Sequence, residues 1–84
     1  MKHHYYIGID RSDDTIDFCQ LSSTGEALHQ QKINSAPESL FSWIERLINE
    51  LPDGATIALC IEQPCQNLVN FFTQFKQIDI YLEN

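Results

Sequence analysis

Positive charge is scarce in this sequence. Five Lys and Arg stand against twelve Asp and Glu, for a net charge of −7. Nucleic-acid binding normally rests on Lys and Arg that neutralise phosphates, so this chain by itself should bind nucleic acid poorly. Long apolar runs are missing as well. The longest, such as Ile57-Ala58-Leu59-Cys60-Ile61, are strand length and far short of the about 20 residues of a membrane span. No positively charged start leads into a long apolar stretch, which predicts no signal peptide. Cysteine is sparse: Cys19, Cys60 and Cys65 form no C-x-x-C pair. They read as reduced, buried or half-buried thiols of a cytosolic protein, with a metal site as the alternative. There is no Gly-rich loop to cradle a phosphate and no Gly-x-Ser-x-Gly elbow. Repeats, low-complexity tracts and linkers are also absent.

What remains is one small domain of 84 residues. Apolar residues make up 43% of it and charged residues 20%, a mixture too apolar for a disordered tail. A chain of this size buries roughly 60–65% of its unfolded surface, enough to fold alone with little stability in reserve.

The residue pattern predicts β-β-β-α-β-α-β. Tyr5 to Asp10 reads as a strand with Gly8 inside it. Arg11-Ser12-Asp13-Asp14 is a turn of short polar residues. Thr15 to Ser22 is a second strand, with Ile16, Phe18 and Gln20 on one face and Asp17, Cys19 and Leu21 on the other. Ser23-Thr24-Gly25 closes a hairpin, with Gly25 as the positive-φ residue. Glu26 to Asn34 is polar, as befits an edge strand. Ser35 and Glu38 match a capping box, with Pro37 in the first turn. Leu40, Ile44, Leu47, Ile48 and Leu51 then share one helical face, and Pro52-Asp53-Gly54 stops the helix. Ala55 to Glu62 is a strand apolar on both faces, ended by Pro64. A second helix from Gln66 to Lys76 buries Leu68, Val69, Phe72 and Phe75, and Ile78 to Leu82 is the last strand.

Short connections make the first three strands an antiparallel meander, and the helical crossovers make parallel neighbours. Crossovers are right-handed, so a sheet of order 3-2-1-4-5 places both helices on one face. The other face is left bare. The expectation is an incomplete domain, with that face covered by a partner copy in a homo-oligomer or by further C-terminal sequence.

Asp10 and Glu62 are the informative residues. They end strands 1 and 4, which in this order are parallel neighbours at the point where chain direction switches. Alternation puts Asp10 on the face of Gly8 and Tyr6, and Glu62 on the face of Cys60 and Ala58. Two carboxylates so close repel unless a cation neutralises them, and a hard ion such as Mg²⁺ suits oxygen donors. Carboxylate-held ions cleave phosphodiesters by activating water and stabilising the leaving oxygen, which normally takes three or four acids. The pattern leaves open a plainer reading, in which Asp10 only starts the turn. Asp13, Asp14 and Asp17 read as turn and surface charges. His3 and His4 read as a frayed, solvated N-terminus, His29 as surface, and the aromatics at 71, 72 and 75 as core.

Tyr6-Ile7-Gly8-Ile9-Asp10, the acidic turn and Thr15-Ile16-Asp17 resemble the opening of the insertion sequence 110 family of DEDD transposases, shared with the Piv and MooV DNA invertases. The resemblance continues through Thr24-Gly25-Glu26, the helix from 37 to 51, Ala58-Leu59-Cys60-Ile61-Glu62-Gln63-Pro64 and Ile80-Tyr81-Leu82-Glu83-Asn84. It departs at Arg11 and Asp13, where a small or aliphatic residue and a Lys are common, and at Cys65, where Gly is frequent. The resemblance implies a RuvC-like, ribonuclease H-like α/β domain, of which residues 1–84 would be the N-terminal part, lacking its C-terminal helix. It implies Asp10 and Glu62 as the first two of four metal-binding acids, catalytic and Mg²⁺-binding, with the last two beyond the fifth strand. It further implies that the intact protein cuts and rejoins DNA, with a guide RNA as partner, and that these residues alone are inactive; the cysteines set the expected compartment as the cytoplasm. Three other readings share parts of the pattern. One is a Holliday-junction resolvase or related ribonuclease H-like nuclease, and another is a non-catalytic interaction module. The third is an actin-like ATPase or sugar kinase, against which the two acids in the 11–14 turn argue because they would repel ATP.

Overall fold

A computed structural model describes residues 3–12, 14–62 and 66–83. Its elements are β1 (Tyr5–Arg11), β2 (Thr15–Ser22), β3 (Ala27–Asn34), α1 (Pro37–Asn49), β4 (Ile57–Glu62), α2 (Gln66–Thr73) and β5 (Ile78–Glu83). The five strands form one mixed sheet of order β3-β2-β1-β4-β5. β1–β2 and β2–β3 pair antiparallel, while β1–β4 and β4–β5 pair parallel. This is the α/β order and pairing that the crossovers predict. The roles assigned to Asp13, Pro64 and Cys65, and the match at Gln63 and Asn84, lie outside the described residues.

One face of the sheet holds the core. Alternation along β1, β2 and β4 points Ile7, Ile9, Ile16, Phe18, Ile57, Leu59 and Ile61 to the same side, all at most 2% exposed. Leu40, Trp43, Ile44 and Leu47 of α1 and Leu68 and Phe72 of α2 complete the cluster. Trp43 links the layers: its ring centroid is 4.4 Å from Phe18 and 6.3 Å, edge-on, from Phe72. Each fully buried aliphatic or aromatic side chain here contributes about 1.5–3 kcal/mol of transfer free energy. Both helices therefore pack on one face. Among the described residues no helix covers the other, and no helix is long and apolar enough to cross a membrane.

Local signals explain most of the joints. The β1–β2 turn closes with Ser12 N–H donating to the Thr15 carbonyl at 2.9 Å. Gly25, at φ 92, takes the left-handed position of the β2–β3 turn. The Ser22 hydroxyl there accepts from the backbone N–H of Thr24 and Glu26. β3 is exposed along almost its whole length, as an edge strand.

Strand bounds shift by one or two residues, with Arg11 ending β1 rather than opening the turn, and three larger features differ from the sequence reading. The capping box does not form. Pro37 restricts the preceding residue to extended backbone, so Ala36 at φ −60, ψ 143 becomes the N-cap, and no side chain caps it. That shift places Glu38 one position too early to reach back, and Asn34 Oδ1 instead accepts from Ala36 N–H at 2.7 Å. Helix α2 stops at Thr73, short of Lys76. The Thr73 hydroxyl and the Gln74 amide donate to the carbonyls of Asn70 and Phe71, and the chain turns toward β5. His3 is not solvated. It is 4% exposed, with Nδ1 2.9 Å from Thr56 Oγ1 and Nε2 3.1 Å from Tyr81 Oη. Thr56, just before β4, and Tyr81 on β5 give a buried polar ring the hydrogen bonds it requires.

Candidate functional site

The site grows from the strand register. β1 sits between an antiparallel neighbour and a parallel one, so chain direction changes beside it. Gly8 pairs with Cys60 and Ile9 with Ile61. One more step of alternation carries Asp10 and Glu62 onto the uncovered face, at adjacent strand ends. Both are exposed, and both line one open concavity of about 420 Å³, together with Asp17, Cys19 and Gln30. The structure thus brings together the two carboxylates that the sequence singles out.

Asp17 is a third carboxylate at this place. It belongs to β2, the strand to which the sequence assigns it, and it pairs directly with Asp10 in the antiparallel register. Opposed residues of such a pair share a face, with β-carbons about 4.5–5.5 Å apart. Lys32, the opposite residue on β3, pairs with Asp17 at 3.6 Å. Hairpin symmetry was the available signal: a tight turn centred between Ser12 and Thr15 sets Asp10 opposite Asp17. Asp14 remains in the turn, where its carbonyl accepts from Ser35 N–H.

Gly8 lies at the centre of the uncovered face. A β-carbon added there would meet no atom within 4 Å, so the space above it is open. Cys19 and Cys60 flank it on the neighbouring strands, both half-buried, as the sequence suggests. Two strand spacings, about 10 Å, separate them, too far for a disulfide. His29 lies on the exposed edge strand, with Nε2 2.8 Å from Gln31 Oε1. Phe72 is fully buried, and Phe71 and Phe75 pack partly buried beside it.

Asp10 and Glu62 are hard oxygen donors, the type that Mg²⁺ prefers. Their number falls short of a closed site. Among the described residues, no group of three or more His, Cys, Asp or Glu is arranged to hold a metal ion. The arrangement is a pair of exposed carboxylates facing one open concavity.

No protein-family model matches the chain. No curated protein sequence matches it either.

Proposed function

We propose that the chain is the N-terminal part of a RuvC-like, ribonuclease H-like catalytic domain from a DEDD-type DNA transposase or recombinase. The observation that carries the reading is the placement of Asp10 and Glu62 on one sheet face, at neighbouring parallel strand ends, lining a common concavity. Ligand sites of open α/β sheets lie at such switch points. The strand order and the two helices on one face support the same reading.

In this proposal Asp10 and Glu62 hold Mg²⁺ jointly with acids supplied from outside the described residues. Bound there, the ion supplies activation of water and charge stabilisation at the leaving oxygen of a phosphodiester. The chain's own part is to fix two carboxylates on rigid strands. The net charge of −7 leaves capture of DNA to other sequence and to a guide RNA. The reading places the protein in the cytoplasm.

The test uses the longest open reading frame that contains this chain, assayed for Mg²⁺-dependent nicking and strand transfer. Asp10→Asn should reduce turnover by at least about 100-fold while leaving the thermal midpoint within a few degrees. Residues 1–84 alone should be inert. Unchanged turnover in Asp10→Asn would sink the proposal. Asp10-dependent nicking by residues 1–84 alone would refute the part that makes the site incomplete.

A further inference from the structure

Asp10 and Arg11 end β1 on opposite faces. Asp10 looks onto the uncovered face. Alternation turns Arg11 to the helix side, where it pairs with Ile16 in the antiparallel register. There it lines a concavity of about 290 Å³ between the starts of α1 and α2. Buried Leu40 and Leu68 form its floor, and the half-buried Phe71 ring forms a wall. The Ser35 hydroxyl and the Asn67 amide stand at the rim with Arg11.

We propose that this concavity holds one nucleotide of the DNA strand, beside the nucleotide whose phosphate is cut at Asp10 and Glu62. The inference rests on the nuclease reading and adds to it a subsite on the other side of the sheet. Three observations select a nucleotide. Charge is the first. The chain carries −7, yet Arg11 is exposed and enters no ion pair among the described residues. No described carboxylate lines the concavity with it. A free guanidinium takes an anion, and a phosphate group matches its planar fork. Shape is the second. An aromatic wall over an apolar floor gives a base a surface to stack on. Ser35 and Asn67 bring a hydroxyl and an amide, which pair with base edges. The volume stands at the small end of ligand clefts and is far short of what a docked helix fills. Place is the third. Arg11 follows Asp10 directly, so a strand crossing the end of β1 passes both residues.

The test uses residues 1–84 in EDTA, where neither metal nor cleavage contributes. Deoxyadenosine 5′-monophosphate is titrated into isotopically labelled protein and followed through the amide resonances. The amides of Leu40, Leu68 and Phe71 should shift while those of Gly8 and Cys60 stay. Saturation should fall in roughly the millimolar range, and affinity should drop as salt rises. Arg11→Gln should weaken binding about fivefold or more while the domain keeps its melting transition. Phe71→Leu keeps an apolar side chain, removes the ring and should also weaken binding. Inorganic phosphate and deoxyadenosine should each bind more weakly than the nucleotide. Undiminished affinity in Arg11→Gln would overturn the proposal. So would inorganic phosphate binding as tightly as the nucleotide, which leaves an anion site only. Deoxyadenosine binding as tightly overturns it as well, because only an apolar cleft is then left. A longer product of the same gene that rejects the nucleotide makes the chain's own sequence the occupant and ends the proposal. The nuclease reading fails by a different result, turnover that survives Asp10→Asn, and the binding titration does not depend on it.

Discussion

The two faces of the sheet are built from alternate residues of the same strands, yet they differ in almost every property. Toward the helices, Ile7 and Ile9 are shut away beneath Trp43, Ile44 and Phe72. One residue over, Gly8 and Asp10 look onto open troughs. Stability belongs to the first face, where apolar area leaves water. The second face is left to small residues and carboxylates, which gather at the direction switch. His3 is the exception that joins them. A polar ring on the open face is buried as deeply as a core side chain because Thr56 and Tyr81 satisfy it.

This contrast can be broken most forcefully from the covered side. Phe72→Ala removes a side chain with no exposure between the two helices and the sheet. It should cost about 3–5 kcal/mol, much of what a domain of this size has, read as a fall in the urea midpoint. A loss below about 1 kcal/mol would mean that the helix face is not the core. His3→Ala tests the exception. Removing the ring leaves the Thr56 and Tyr81 hydroxyls without this partner, and the expected loss is about 1–3 kcal/mol in the same melt. A solvated N-terminus would give no measurable change. Gly8→Leu is the smallest effect and carries the opposite sign. Its β-carbon meets nothing, and a strand favours a side chain over glycine, so stability should stay level or rise by up to about 1 kcal/mol. Destabilisation beyond that would show that the space above Gly8 is filled.

Much of this was readable from residue order, for reasons that are local. Ile16, Phe18 and Gln20 alternate with Asp17, Cys19 and Leu21, and that alternation assigns faces before any coordinates exist. Right-handed crossovers then place Asp10 beside Glu62. What escaped depends on contacts remote in sequence or on competing local sterics. His3 finds partners 53 and 78 residues away, which no window along the chain can reveal. The expected capping box was displaced because a proline constrains the residue before it, a stronger effect than one hydrogen bond. Asp17 was assigned to its strand but grouped with the surface charges, although hairpin symmetry puts it opposite Asp10.

Trp43 is the single tryptophan of the chain, and it stands on the helix side between Phe18 and Phe72. Tyr6 and Tyr81 border an open concavity on the other side, while Tyr5 packs against the core, so tyrosine absorbance mixes the two faces. Indole emission comes from one ring on one side. It follows the integrity of the helix layer alone, and the loss of that layer can be recorded on unlabelled protein.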